Sequence, residues 1–201
     1  MASTTDKHNE APSGAHKEAP VSARLGIWTF LATELLLFGG LFTAYAQFRG
    51  MYPELFHLQH LKLSRPLGAL NTVVLLTSSL TMAVAIGAVR RARQKTMNLC
   101  LMLTLALAGV FLVIKYIEWS HDFAEGIFPK TNIFWGLYFV MTGLHGLHVV
   151  GGMAVLAALI VLARKDRINA EHSAPVEVFG LYWHFVDLIW IYLFPLLYLI
   201  G

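Results

Sequence analysis

The chain is short of charge and of cysteine, and each shortage removes a class of protein. Only 13% of its 201 residues are Asp, Glu, Lys or Arg, against 57% hydrophobic residues, and its mean hydropathy is positive. A soluble domain of this length cannot hide so much apolar surface in one core. The single cysteine, Cys100, stands at the head of an apolar run, which leaves no disulfide framework and no thiolate metal site. The apolar runs show no alternation, so transmembrane strands are excluded. Residues 1–23 lack both the apolar stretch of a signal peptide and hydrophobic periodicity, and they read as a mobile tail. There is no internal repeat and no linker long enough to separate two units. The net charge of +3 does not point to nucleic acid, because Lys and Arg stand in short clusters between apolar runs, as membrane topology places them.

What is present is a set of five long apolar runs, over about residues 25–48, 67–89, 97–119, 133–163 and 176–200. A helix needs about 20 residues to cross roughly 30 Å of hydrocarbon, and each run suffices. The fourth is over-long and should tilt or project beyond the bilayer. The expectation is an all-α, polytopic membrane protein: a tail over 1–23, then one five-helix bundle over 24–201. Lys7, Lys17, Arg24, Arg90, Arg91, Arg93, Lys95, Arg164, Lys165 and Arg167 fall on one side of it, and Arg49, Lys62, Arg65 and Lys130 on the other. Ten basic residues against four place the N-terminus in the cytoplasm and the C-terminus on the periplasmic side. Trp119, Trp135 and Tyr198 fall near the outer ends of their runs, where amphipathic rings favour the interface. Gly39, Gly40, Gly143, Gly146, Gly151 and Gly152 suit close helix packing, and Thr77, Ser78 and Ser79 can bond a neighbouring helix.

The apolar runs also carry residues that such helices normally exclude. An ionisable side chain costs roughly 2.5–3.5 kcal/mol at a helix centre on insertion scales, so it usually faces protein and often has a task. Glu34 lies nine residues into the first run, roughly 14 Å deep at 1.5 Å per residue. His145 and His148 share a face of the fourth run at a spacing of i, i+3, and His184 and Asp187 repeat that spacing in the fifth. These five form a candidate intramembrane polar network. Nearer the outer surface, Lys115, Glu118 and His121 step along one face of the third helix, with Asp122 beside them. Haem ligation would need histidines opposed on two helices at equal depth, which an i, i+3 pair does not offer. A di-metal centre would need carboxylates and histidines converging from several helices. Two further readings are interhelical hydrogen bonding that locks the bundle, and proton handling by buried acid–histidine pairs.

Five motifs in order carry a resemblance over nearly all of the membrane portion. They are LGIWTFLATELLLF at 25–38, LNTVVLLTSS at 70–79, FLVIKYIEW at 111–119, TGLHGLHV at 142–149 and WHFVDLIW at 183–190. Together they resemble the subunit III family of haem-copper oxidases, in its short five-helix bacterial form. The resemblance places Glu34 where the family has its intramembrane glutamate. It implies a non-catalytic subunit of a proton-pumping terminal oxidase in aerobic respiration, packed directly on subunit I in an assembly with subunit II. It implies no cofactor on this chain, haem and copper in the partner subunits, and a structural phospholipid. Arg164, Lys165 and Arg167 would meet lipid headgroups. The absence of the first two helices of the seven-helix form argues for a bacterial plasma membrane. Cytochrome c is the expected donor, with a quinol oxidase or nitric oxide reductase system as the alternative. Without the resemblance, a proton-coupled transporter remains, although no inverted repeat supports one.

Overall fold

The computed structural model describes residues 21–169 and 172–200, with side chains from Leu25 onward. Among the described residues six α-helices follow one another: α1 Val21–Met51, α2 Pro53–His60, α3 Arg65–Arg90, α4 Gln94–Ala124, α5 Ile133–Arg164 and α6 Ala174–Phe194, continued by a π-helical turn over Pro195–Leu199. Five of them are long and apolar enough to cross a membrane. The expected tail lies outside the described residues as far as residue 20, and residues 21–23 already belong to the first turn of α1. The over-long fourth run is matched by its neighbours, since α1 and α4 have 31 residues each and α5 has 32.

Prolines set several of the boundaries. Pro53 opens α2, and α3 and α6 each carry a proline at their first or second position, where the missing N–H costs nothing. Inside a helix the same residue has the opposite effect. Pro195 cannot bond the preceding turn, and the chain closes a wider ring from Ile200 N–H to Pro195 O at 3.0 Å. That turn points Leu197 and Tyr198 into the core. Ala92 and Asp166 take positive φ angles of 53° and 52° just past the ends of α3 and α5, where their backbones fold back on the last helical carbonyls. Gln94 at the start of α4 donates to Ala163 O and Ile168 O, which satisfies the carbonyl end of α5.

Helices α3, α4, α5 and α6 form a closed ring in which each packs on the next and α6 returns to α3; α1 lies outside, against α5 and α6. The interior is aromatic, with Phe111, Trp183 and Trp190 wholly enclosed. Gly152 lets the Trp183 ring reach the α5 backbone: a Cβ there would lie 2.7 Å from the indole. A Cβ added at Gly39, Gly40, Gly146 or Gly151, by contrast, would meet nothing within 4 Å among the described residues. The outer surface is strongly apolar, with Leu36, Tyr116 and Leu147 among many large side chains left exposed. A soluble protein would not carry such a belt, and the protein is a multi-pass helical membrane protein. α1 is the least buried of the five long helices.

Candidate functional site

The five candidate intramembrane residues do not form one network; four of them divide between two helix interfaces, and His145 stands apart from both. At the first, His148 Nε2 of α5 lies 2.9 Å from Glu34 Oε2 of α1. The approach is a close ion-pair contact, too poorly aligned to count as a hydrogen bond. The other ring nitrogen fixes the tautomer. His148 Nδ1 is 2.8 Å from Leu144 O, and a carbonyl only accepts, so Nδ1 carries hydrogen. Tyr182 of α6 donates to His148 O at 2.8 Å, which ties α6 to the same point.

At the second interface, Ser79 of α3 shares a 2.6 Å hydrogen bond with His184 Nδ1 of α6. Ser79 lies beside Asp187, yet with its hydroxyl engaged by His184 both carboxyl oxygens of Asp187 lack a hydrogen bond among the described residues. One turn to either side, Trp183 donates to Ser78 and Trp190 to Thr72. The α3–α6 seam is thus a ladder of serine and threonine hydroxyls facing indoles and an imidazole. His145 belongs to neither group. It is fully buried, edge-to-face with Phe111 and tilted against Trp190 with ring centroids 5.4 and 5.2 Å away, and neither nitrogen has a partner among the described residues. The i, i+3 spacing explains the divergence: it leaves His145 and His148 about 60° apart on α5, enough to aim one into the ring and the other at α1.

The outer cluster is the most strongly built part of the bundle, with one member replaced. Lys115 Nζ donates to Glu118 Oε2 at 2.9 Å, both side chains being less than a tenth exposed. It also donates to the hydroxyls of Tyr198 at 2.9 Å and Tyr138 at 3.3 Å. Tyr198 donates to Glu118 Oε1 at 2.7 Å, and the ammonium lies 5.0 Å from the Trp190 ring. His121 is excluded: it is largely exposed and faces Glu125 at 3.7 Å. The third buried residue is Asp122. At about 100° per residue, Asp122 returns to within about 20° of Lys115, whereas His121 points about 120° away. Tyr138 and Tyr198 take part in four of the cluster's five hydrogen bonds and were not legible as partners. Trp135 and Tyr198, expected at the interface, are both fully buried; Trp135 donates to Gln59 of α2.

Arg164, Lys165 and Arg167 are all exposed at the end of α5, and Arg164 Nη2 lies 3.1 Å from Met102 Sδ. Sequence reasoning missed the ion pair across the same end, Arg90 Nε to Glu177 Oε1 at 2.9 Å. Among the described residues no three His, Cys, Asp or Glu side chains are grouped as metal ligands.

Together these features define a class: a polytopic helical membrane protein whose buried polar groups mainly join one helix to another. The comparisons with known proteins go further. The family model described as cytochrome c oxidase subunit III matches residues 4–201. A Staphylococcus haemolyticus protein named probable quinol oxidase subunit 3 is 34% identical over 185 residues, with 89% of each chain covered. The protein of the same name in Staphylococcus aureus strain USA300 is 33% identical over the same length and coverage. The chain belongs to the cytochrome c oxidase subunit III family and is a subunit of a haem-copper oxidase, associated with other subunits of that complex.

The Glu34 contact yields a first expectation. Glu34→Gln keeps the size of the side chain and a polar group beside His148 Nε2, so the loss should stay within about 1 kcal/mol. Glu34→Leu leaves Nε2 unpaired and should cost more. The fraction of subunit retained in the purified complex after graded heating separates the two variants. Equal losses would show that the polar contact with His148 does not hold α1 to α5.

Proposed function

We propose that this chain is the non-catalytic third subunit of a proton-pumping terminal oxidase in a bacterial plasma membrane. It packs on subunit I, in an assembly with subunit II, and supports proton uptake and stability there. Haem and copper belong to the partner subunits. The observation that carries this reading is the chain-long family match to a bundle in which hydroxyls, indoles and the Glu34–His148 contact join one helix to another. An apolar groove of about 750 Å³ between α1 and the α5–α6 pair, lined by Ile27, Phe30, Val155, Leu159, Phe179 and Tyr182, supports the structural phospholipid. Exposed Arg164, Lys165 and Arg167 are placed to meet anionic headgroups at the same end. The basic residues favour a cytoplasmic N-terminus. A single reactive cysteine at exposed Lys130 should then label from outside intact cells, and protection there would reverse the topology.

Removal of the subunit is the functional test. The remaining oxidase should keep its haem and copper and show measurable early turnover. Its defect should be slower proton uptake at high pH, or faster loss of activity over many turnovers. The cause is that part of subunit I loses its neighbour and faces lipid and solvent. Immediate and complete loss of oxygen reduction, with every metal retained, would overturn the accessory role. For the donor, the family model's description fits cytochrome c, while the names of the staphylococcal relatives favour a quinol. Oxidation of reduced cytochrome c against oxidation of a quinol by the purified complex separates the two.

A further inference from the structure

Polar side chains on the outside of the bundle mostly turn back on their own helix. The exposed hydroxyls of Thr29, Thr33, Thr43 and Thr77 each donate to a carbonyl three or four residues earlier, so they ask nothing of their surroundings. His184 of α6 behaves differently. It is only partly enclosed, and its Nδ1 is held by Ser79 of α3 at 2.6 Å. Its Nε2 has no hydrogen bond or ion pair among the described residues, and that nitrogen is not sealed in, unlike both nitrogens of His145. The surroundings are apolar: Leu76 of α3, one turn from Ser79, and Leu181 and Leu188 of α6, one turn to either side of His184, are all exposed. The outer face of the α3–α6 seam thus presents one open polar atom in an apolar frame.

Depth decides what can meet that atom. The exposed Arg90–Glu177 pair marks one end of the seam. At 1.5 Å per residue along each helix, His184 lies roughly 10 Å inside it and Ser79 roughly 16 Å. Both levels fall within the roughly 30 Å hydrocarbon layer, among lipid tails that offer no hydrogen bond. An imidazole left facing those tails is costly, whereas a helix of another subunit can supply the missing partner. Ser79, which also lies beside Asp187, limits what that partner is. The Ser79 hydroxyl can donate to Nδ1 or accept from it, and in a neutral ring this leaves Nε2 a donor in the first case and an acceptor in the second. A hydroxyl or an amide answers either. Resting on the reading that the chain packs on subunit I, we propose that the outer face of the α3–α6 seam docks a transmembrane helix of subunit I, which sets a hydroxyl or amide side chain against His184 Nε2.

The test uses the assembled oxidase. A photoactivatable diazirine amino acid in place of Leu76 or Leu188 should crosslink the chain to a membrane span of subunit I. Adducts with lipid alone, with a different subunit or with a second copy of this chain overturn the proposal. Two amide variants then separate docking from the bond to Ser79, because the amide of Asn reaches the place of Nδ1 and that of Gln the place of Nε2. His184→Asn should lower the fraction of subunit retained on subunit I at raised detergent about threefold, the equivalent of one interhelical hydrogen bond, and His184→Gln should hold it. Equal retention, or the reverse order, overturns the hydrogen bond at Nε2. Should neither variant assemble, the crosslinks from the chain with His184 intact decide. Whether subunit I co-purifies with the native chain is read separately, so a wrong partner and a wrong face give different results.

Discussion

Lys115→Met should be the most damaging single substitution in the bundle, costing about 3–5 kcal/mol. Removing one member of a buried ion pair strands the other charge in a medium that cannot solvate it. Here Glu118 would keep only the Tyr198 hydroxyl as a donor, while Asp122, whose Oδ2 already lacks a partner among the described residues, would add a second buried carboxyl beside it. The effect reaches beyond α4, because Lys115 also holds Tyr138 of α5 and Tyr198 of the π-helical turn. One side chain thus joins three segments. The double variant Lys115→Met with Glu118→Gln removes both charges, retains an acceptor for Tyr198, and should recover most of the loss. Thermal retention of the subunit in the purified complex gives the comparison. If the double variant were as unstable as the single one, the cluster would be held by packing, and the ion pair would be incidental.

Why this cluster was only partly visible beforehand follows from what a sequence encodes. Segment length and hydropathy report on the solvent around a helix, and they located all five long helices. The family motifs located Glu34, Lys115, Glu118, His148, His184 and Asp187. None of these signals says which way a side chain turns. Angular position along α4 does: at 3.6 residues per turn, Asp122 and not His121 shares the face of Lys115. Partners from other helices are a different matter. Tyr198 reaches Glu118 from 80 residues away, and it points inward because Pro195 widens the turn before it, a register change that no hydropathy pattern carries. For the same reason Trp135 and Tyr198 read as interface anchors when both are core. Helix α2 was missed because eight residues of mixed polarity give too little periodicity to separate from a loop. The paired motif Gly39-Gly40 suits close packing, yet among the described residues nothing lies within 4 Å of a Cβ added at either glycine.

Two adjacent glycines on α5 should respond to alanine in opposite directions. Gly151→Ala should be neutral or stabilising by up to about 1 kcal/mol, since alanine is the better helix former and nothing of this chain lies within 4 Å of the new methyl. Gly152→Ala makes the same gain in helix propensity but places Cβ 2.7 Å from the six-membered ring of Trp183 and 3.0 Å from Tyr182. Neither ring can simply swing aside. Trp183 is fully buried and its Nε1 donates to Ser78 of α3, while Tyr182 donates to His148 O. Relief therefore requires α5 and α6 to separate, or one of those hydrogen bonds to break. Overpacking of this kind costs about 1–3 kcal/mol, and the loss of a neutral hydrogen bond adds roughly 0.5–1.5 kcal/mol. Because Trp183 joins α5 through α6 to α3, the damage should propagate to the α3–α6 seam, visible as faster amide exchange or proteolysis around Ser78 and Ser79. Retention of the subunit on heating should fall for Gly152→Ala and hold for Gly151→Ala. Equal behaviour of the two variants would mean that the close contact of Trp183 with the α5 backbone does not set the packing of the bundle.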